Sequence, residues 1–151
     1  MNRLVVIDTN VLVSSLLSSS EDAATVQVVT KAILGEITPV VNRAILEEYQ
    51  DFLSRQKFGF SLDNINYLLS AIEKYRITHE PKPSGTIIKD LDDIPFFDTA
   101  FDLQDYGAYL ITGNMKHFPK VPFIISPREY INTLSVFKEL YSAEDRANRE
   151  G

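Results

Sequence analysis

The segment that most restricts this chain lies at its start, where Leu4-Val5-Val6-Ile7 runs straight into Asp8-Thr9-Asn10. Four bulky apolar residues without polar alternation suit a strand buried on both faces, as in a parallel sheet. Val11 to Leu17 then reads as a helix, with Thr9 or Asn10 available as its cap. In open parallel α/β sheets the functional crevice lies outside the carboxyl ends of the strands, which is where Asp8 falls. A plainer reading also exists, in which Asp8 and Asn10 only cap a helix and close a turn.

The rest of the chain repeats this alternation. Residues 23–33 carry Ala24, Val28 and Ala32 at helical spacing, and Gly35 is a natural stop. Ile37 to Val41 is a short strand, and Pro39 points to an edge or irregular one. Asn42 opens a helix to Leu53, and Ser61 precedes another from Asp63 to Tyr75. Ile77 begins a short strand, residues 79–85 are a loop, and His79 has no partner at metal-ligand spacing and reads as an ordinary surface residue. Residues 107–112 form a strand whose end passes through a tight turn at Gly113, placing Asn114 in the strand-end crevice. Phe123 to Ile125 is the last strand, and Ser126-Pro127 starts a helix with Tyr130, Ile131 and Leu134 toward the core. Strands alternating with helices imply βαβ units and an α/β fold with a mostly parallel sheet. Residues 1–138 read as one domain and 139–151 as a polar tail, frayed or partner-binding.

Composition narrows the chemistry. The chain has 151 residues and no cysteine, which removes disulfides, thiol catalysis and thiolate metal sites. Two histidines, His79 and His117, are too few for a histidine-rich centre. A metal here must be held by carboxylates, which favours hard ions such as Mg²⁺ or Mn²⁺. No stretch approaches the ~20 apolar residues of a membrane span, and no secretory leader is visible, so a cytoplasmic location away from membranes is expected. The net charge of −6 argues against broad non-specific binding to nucleic acid without excluding a nucleic-acid substrate.

Three further acids stand at informative places. On the helix after Asn42, the residues Ile45, Leu46, Tyr49, Phe52 and Leu53 form one apolar stripe. Glu47 points away from that stripe, while Glu48 lies at its edge and can reach a flanking site; the alternative for Glu48 is a boundary residue paired with an arginine. Residues 90–102 hold five aspartates in thirteen positions. Pro95 fits a first helical turn, which makes Asp93 a candidate N-cap whose side chain projects with Phe96 and Ala100 toward the interior. Asp98 and Asp102 project away. Lys116, His117 and Lys120 add a small basic edge beside the acids. Clustered carboxylates such as Asp8, Glu48 and Asp93 repel unless a cation joins them, and a bound Mg²⁺ or Mn²⁺ suits phosphodiester hydrolysis.

Val-Ile-Asp-Thr-Asn-Val-Leu at 6–12, Ile45-Leu46-Glu47-Glu48-Tyr49, the stretch 90–100, and Leu-Ile-Thr-Gly-Asn at 110–114 with His117-Phe118 together resemble a PIN domain. All four blocks stand in the family's order over about residues 3–134, and the branch most similar comprises toxin components of bacterial toxin–antitoxin pairs. The resemblance implies a Rossmann-like three-layer α/β/α sandwich and a Mg²⁺- or Mn²⁺-dependent ribonuclease. It also implies an RNA substrate, a neutralising antitoxin and a homodimer. Residue by residue, it implies Asp8, Glu48 and Asp93 as metal ligands, with Asp98 the alternative third acid and Asn114 a weaker or water-mediated contact. Thr9, Asn10 and Thr112 would orient the ligands, and Lys116 and His117 would face substrate.

Two other classes stay open. A phosphotransfer enzyme could use Asp8 as a nucleophile on a similar sheet, but the haloacid-dehalogenase pattern wants an aspartate where Asn10 stands. A receiver domain would need an acidic pair near the first strand and a late lysine, neither well placed here. A non-catalytic PIN module that binds a protein or RNA is the other alternative.

Overall fold

The computed structural model describes residues 3–135, so the tail expected from 139 to 151 lies outside the described residues. In chain order the elements are β1 (Leu4–Ile7), α1 (Thr9–Leu17), α2 (Ala24–Ile33), β2 (Thr38–Val41), α3 (Arg43–Leu53), α4 (Leu62–Glu73), β3 (Ile77–Thr78), α5 (Ile94–Asp102), β4 (Tyr109–Ile111) and β5 (Ile124–Ile125). A further helix, α6, covers 127–135. The five strands form one parallel sheet in the order β3-β2-β1-β4-β5, flanked by the helices as an α/β/α sandwich.

The unbroken apolar run of β1 explains its central place. Val5 and Val6 are fully buried and Ile7 nearly so, because helices cover both faces of the strand. From β1 the chain steps to β2 and β3 on one side, then returns past both to β4 on the other. The carboxyl ends of β1 and β4 therefore flank the point where the strand order reverses, the place such sheets leave a crevice. Ile7 pairs with Ile111, and the Asp8 amide donates to the Ile111 carbonyl at 2.9 Å, so Asp8 and Thr112 emerge side by side.

Pro39 sits not in an edge strand but in β2, between β1 and β3. The Thr38 amide donates to the Arg3 carbonyl on the β1 side, which turns the Pro39 nitrogen toward β3. There β3 pairs only with Val40 and Val41, so the missing N–H removes no ladder bond. The helix expected over 63–75 runs instead from Leu62 to Glu73, with Ser61 Oγ accepting from the Asn64 amide as its cap.

Two polar groups lock α3 onto the strand ends. Asn42 is buried; its Oδ1 accepts from the Ile45 amide at 3.0 Å, and its Nδ2 donates to the His79 carbonyl and to Thr99 Oγ1. One side chain thus ties the ends of β2 and β3 to the start of α3 and the middle of α5. Tyr49 is 1% exposed, and its hydroxyl donates to the Ile7 carbonyl at 2.6 Å, while its ring packs on Phe96 of α5. That bond fixes α3 against the residue immediately before Asp8. Tyr49→Phe keeps the ring and deletes the donor. It should lower unfolding free energy by about 1–3 kcal/mol in urea denaturation, with little change in the denaturant slope.

Candidate active site

Asp8 is the N-cap of α1, the position expected for Thr9 or Asn10. Its backbone is extended, at φ −67° and ψ 145°, and its Oδ1 accepts from the Thr9 amide at 2.8 Å. Its Oδ2 accepts from Thr112 Oγ1 at 2.7 Å and from Asn10 Nδ2 at 2.9 Å. Only 5% of Asp8 is exposed, and Thr112 is fully buried. Burial pushes the Asp8 carboxyl above the usual range even though Thr112, the Thr9 amide and Asn10 all favour its charged form. Asp8 is thus a helix cap whose second oxygen faces the strand-end crevice beside Thr112.

Asn10 and Thr112 are orienters in a literal sense. Asn10 Oδ1 accepts from the Gly113 amide at 2.8 Å, and Thr112 Oγ1 accepts from the Asn114 amide at 2.9 Å. Gly113 does not adopt the left-handed conformation anticipated for a tight turn. Space is tight there, because a Cβ would stand 3.1 Å from Asn10 Oδ1 and that side chain would have to shift by a few tenths of an ångström. Thr9 acts on Asp8 through its backbone, and its buried hydroxyl has no hydrogen-bond partner. Asn114 is exposed at the end of β4, beside Thr112.

Asp93 takes the N-cap position of α5 but makes no capping bond. Its φ and ψ are helical, which turns the carboxylate from the helix amides toward Asp8. Oδ2 is enclosed with no strict hydrogen bond, and His117 Nδ1 stands 3.5 Å away. Burial first, then the charges of Asp8 and Asp90, raise the Asp93 carboxyl to about 6, against the pull of His117. Glu48 is half-buried on α3 and is pushed up to about 7, by burial and by Asp92, Asp51 and Asp90, with Arg55 opposing. Asp90 therefore acts on both Glu48 and Asp93 and links the acids of α3 to those at the strand ends. Asp90 and Asp92 were visible in the sequence only as members of an acidic run; the turn Leu91–Asp93 is what carries them to Glu48.

Asp98 is not brought to this group. Its Oδ1 accepts from Ser84 Oγ at 2.6 Å. Asp102 likewise holds the 79–86 segment, accepting from the Lys82 amide and pairing with His79 Nε2 at 2.7 Å. His79 is thus a half-buried residue anchored by Asp102, not the ordinary surface residue its loop suggested. Its hydrogen bond holds the Asp102 carboxyl below the usual range. Lys116 and His117 line a cleft of about 610 Å³ together with Lys89, Asp90, Leu91 and Asp92.

The donor set fits a hard divalent cation. Every candidate ligand is oxygen, the buried Asp8 and the half-buried Asp93 repel each other, and the enclosed Asp93 Oδ2 has no closer polar contact than His117 at 3.5 Å. Among the described residues no three acids or histidines already converge as a metal-holding group. The arrangement therefore matches an ion seated on one or two carboxylates with water in the rest of its shell, the habit of Mg²⁺.

The same repulsion makes the site costly to the metal-free fold. Asp93 binds its proton more tightly folded than unfolded. Its penalty is therefore absent below pH about 4, grows as pH rises, and is complete above about 6. Asp93→Asn should stabilise the metal-free protein at pH 8 by about 1–2 kcal/mol after allowance for solvent screening. The gain should vanish at pH 4, as thermal unfolding at the two pH values will show.

Comparison with known proteins agrees with this geometry. A family model described as PIN domain matches residues 4–116, well over half of the chain. No curated protein and no solved structure gives a significant match. PIN domains are generally nucleases that use divalent metal ions. With a parallel sheet of this order, acids at the switch point and a family match running from β1 past Asn114, the chain belongs to the PIN domain family.

Proposed function

We propose that this chain is a Mg²⁺- or Mn²⁺-dependent endoribonuclease that hydrolyses RNA phosphodiester bonds. The observation that carries the reading is the pair Asp8 and Asp93, a buried and a half-buried carboxylate that repel each other at the strand-switch crevice, with Asp93 Oδ2 enclosed and making no hydrogen bond shorter than the 3.5 Å contact to His117. Asp8 and Asp93 would hold the cation, with Glu48 as the third acid of the rim. When bound, the cation offsets their charge and supplies Lewis-acid activation for attack on phosphorus. The chain's own residues do the positioning. Asn10, Thr112 and the Thr9 amide fix the Asp8 carboxylate, and Asn114 offers a neutral amide beside it. Lys116 and His117, in the adjoining cleft, supply cationic contacts for the phosphates of the strand.

The finer reading is that of a toxin component, cytoplasmic, homodimeric and neutralised by an antitoxin protein. An apolar groove lined by Leu16, Val29, Ile33, Tyr67 and Leu68 supports a protein partner, as does the 78% exposure of Tyr67 within it. No helix among the described residues is long and apolar enough to cross a membrane. The competing reading, a catalytically inert module that binds a protein or RNA, draws on the absence of three converging acids among the described residues.

Purified protein should cut single-stranded RNA with Mn²⁺ or Mg²⁺ and not with EDTA. Asp93→Asn and Asp8→Ala should each slow cutting by roughly 100-fold or more while the protein stays folded by circular dichroism. Cutting that survives both substitutions points to a contaminant or a misplaced site. No cutting, together with no metal binding by calorimetry, favours the inert module.

A further inference from the structure

Beyond the end of α3 lies a cluster that the proposed chemistry does not use. Phe58 and Phe60 stack with centroids 5.6 Å apart and planes 12° from parallel, and Phe52 approaches Phe58 at 5.3 Å. Gly59 makes this stack, since its left-handed φ of +68° turns the chain back between the two rings. Two cations cover the ring faces. The Arg55 guanidinium carbon stands 4.3 Å from the Phe52 centroid, and Lys57 Nζ stands 5.1 Å from that of Phe58. Packing alone accounts for the three half-buried rings, which border the core. It does not account for two exposed cations laid over them in a chain of net charge −6. Among the described residues the ion pair Arg55 makes is an exposed contact of 3.7 Å to Asp51, of a kind that holds a side chain weakly.

The position of this cluster gives it meaning. Phe52 is one helical turn after Glu48 on the same face of α3, about 6 Å along the axis. Arg55 follows just past the helix end and is among the charges that act on Glu48. A run of neighbours therefore leads from Arg55 through Glu48, Asp92 and Asp90 to Asp93 and His117. The cleft with Lys89 and Lys116 lies at the far end of that run. Acids would repel an RNA strand, so cations at both ends are what could hold one across them.

We propose that Arg55, Lys57 and the Phe52–Phe58–Phe60 stack form a subsite where an unpaired nucleotide of the RNA strand, next to the position cut, stacks its base and anchors its phosphate. A base can lie on a guanidinium plane or on an aromatic face, and only an unstacked base can reach either. The cations supply phosphate contacts without sequence preference. The surface therefore selects single strands over duplexes rather than one sequence over another. The proposal rests on the nuclease reading for its substrate and is tested apart from it.

The test is fluorescence anisotropy with a short labelled single-stranded RNA in EDTA at low salt, where cutting does not intervene. The variants are Arg55→Ala with Lys57→Ala, and Phe58→Leu, which keeps an apolar side chain while removing the stacking face. Lys31→Ala, at a surface lysine paired with Glu36, is the control. The double variant should weaken binding at least about 10-fold and reduce the slope of log affinity against log salt by about 1.4. Phe58→Leu should weaken binding roughly 5- to 100-fold and leave that slope unchanged. In cleavage assays both should raise KM with little change in kcat. Wild-type affinity in both variants overturns the proposal, and so does a wild-type protein that binds no RNA or binds a duplex equally well. Binding that depends on the subsite without any cutting keeps the subsite and sinks the nuclease. Cutting with variants indistinguishable from wild type does the reverse.

Discussion

Burying a carboxylate is expensive unless donors surround it, and the arrangement of this molecule at its switch point follows from meeting that cost at Asp8. Three hydrogen bonds converge on its two oxygens, from the Thr9 amide, Asn10 and Thr112. Each comes from a different constraint: the start of α1, the first turn of that helix, and the end of the neighbouring strand. The β1–β4 register supplies the third, because Ile7 opposite Ile111 brings Thr112 alongside Asp8. The three donors reduce the penalty without cancelling it, since the carboxyl still prefers its proton more than a free aspartate does. The residual cost is what a bound cation would relieve.

The second acid is treated in the opposite way. Asp93 stands where a helix cap belongs yet caps nothing, leaving an oxygen without a donor in a buried place. A fold selected for stability alone would satisfy or remove that group. Pairing a well-held acid with a poorly held one concentrates unmet negative charge in one spot. Strain of this kind at a switch point is a mark of function more than of packing, and under the proposed chemistry it would set metal-free stability against activity.

The remaining polar side chains of the region are scaffolding. Asn42 and Tyr49 fasten α3 to the strand ends, which is how Glu48 comes to stand near the turn bearing Asp90 and Asp92. Asp98 and Asp102, on the outward side of α5, bind the 79–86 segment through Ser84, Lys82 and His79. That segment is most of the connection between β3 and the acidic turn. Holding it to α5 therefore limits where the turn can sit. Five aspartates within thirteen residues thus divide between two tasks, and charge alone does not say which does which.

Much of this was legible in the chain itself. The apolar run Leu4 to Ile7 ending in Asp8 dictates a buried parallel strand with an acid at its carboxyl end, and the α3 stripe places Glu48 at a boundary, because period and polarity are local properties. The inward projection of Asp93 followed from the same helical geometry. Tertiary structure alone decided the rest. Pro39 is tolerated within the sheet because β3 begins one residue later, and Gly113 is favoured by the close approach of Asn10 from a hundred residues away. His79 gains a partner only because β3 ends beside α5. Which aspartates face Asp8 and which fasten a loop depends on where the chain between β3 and α5 crosses the molecule. That path is set by contacts far apart in sequence, which no local pattern encodes.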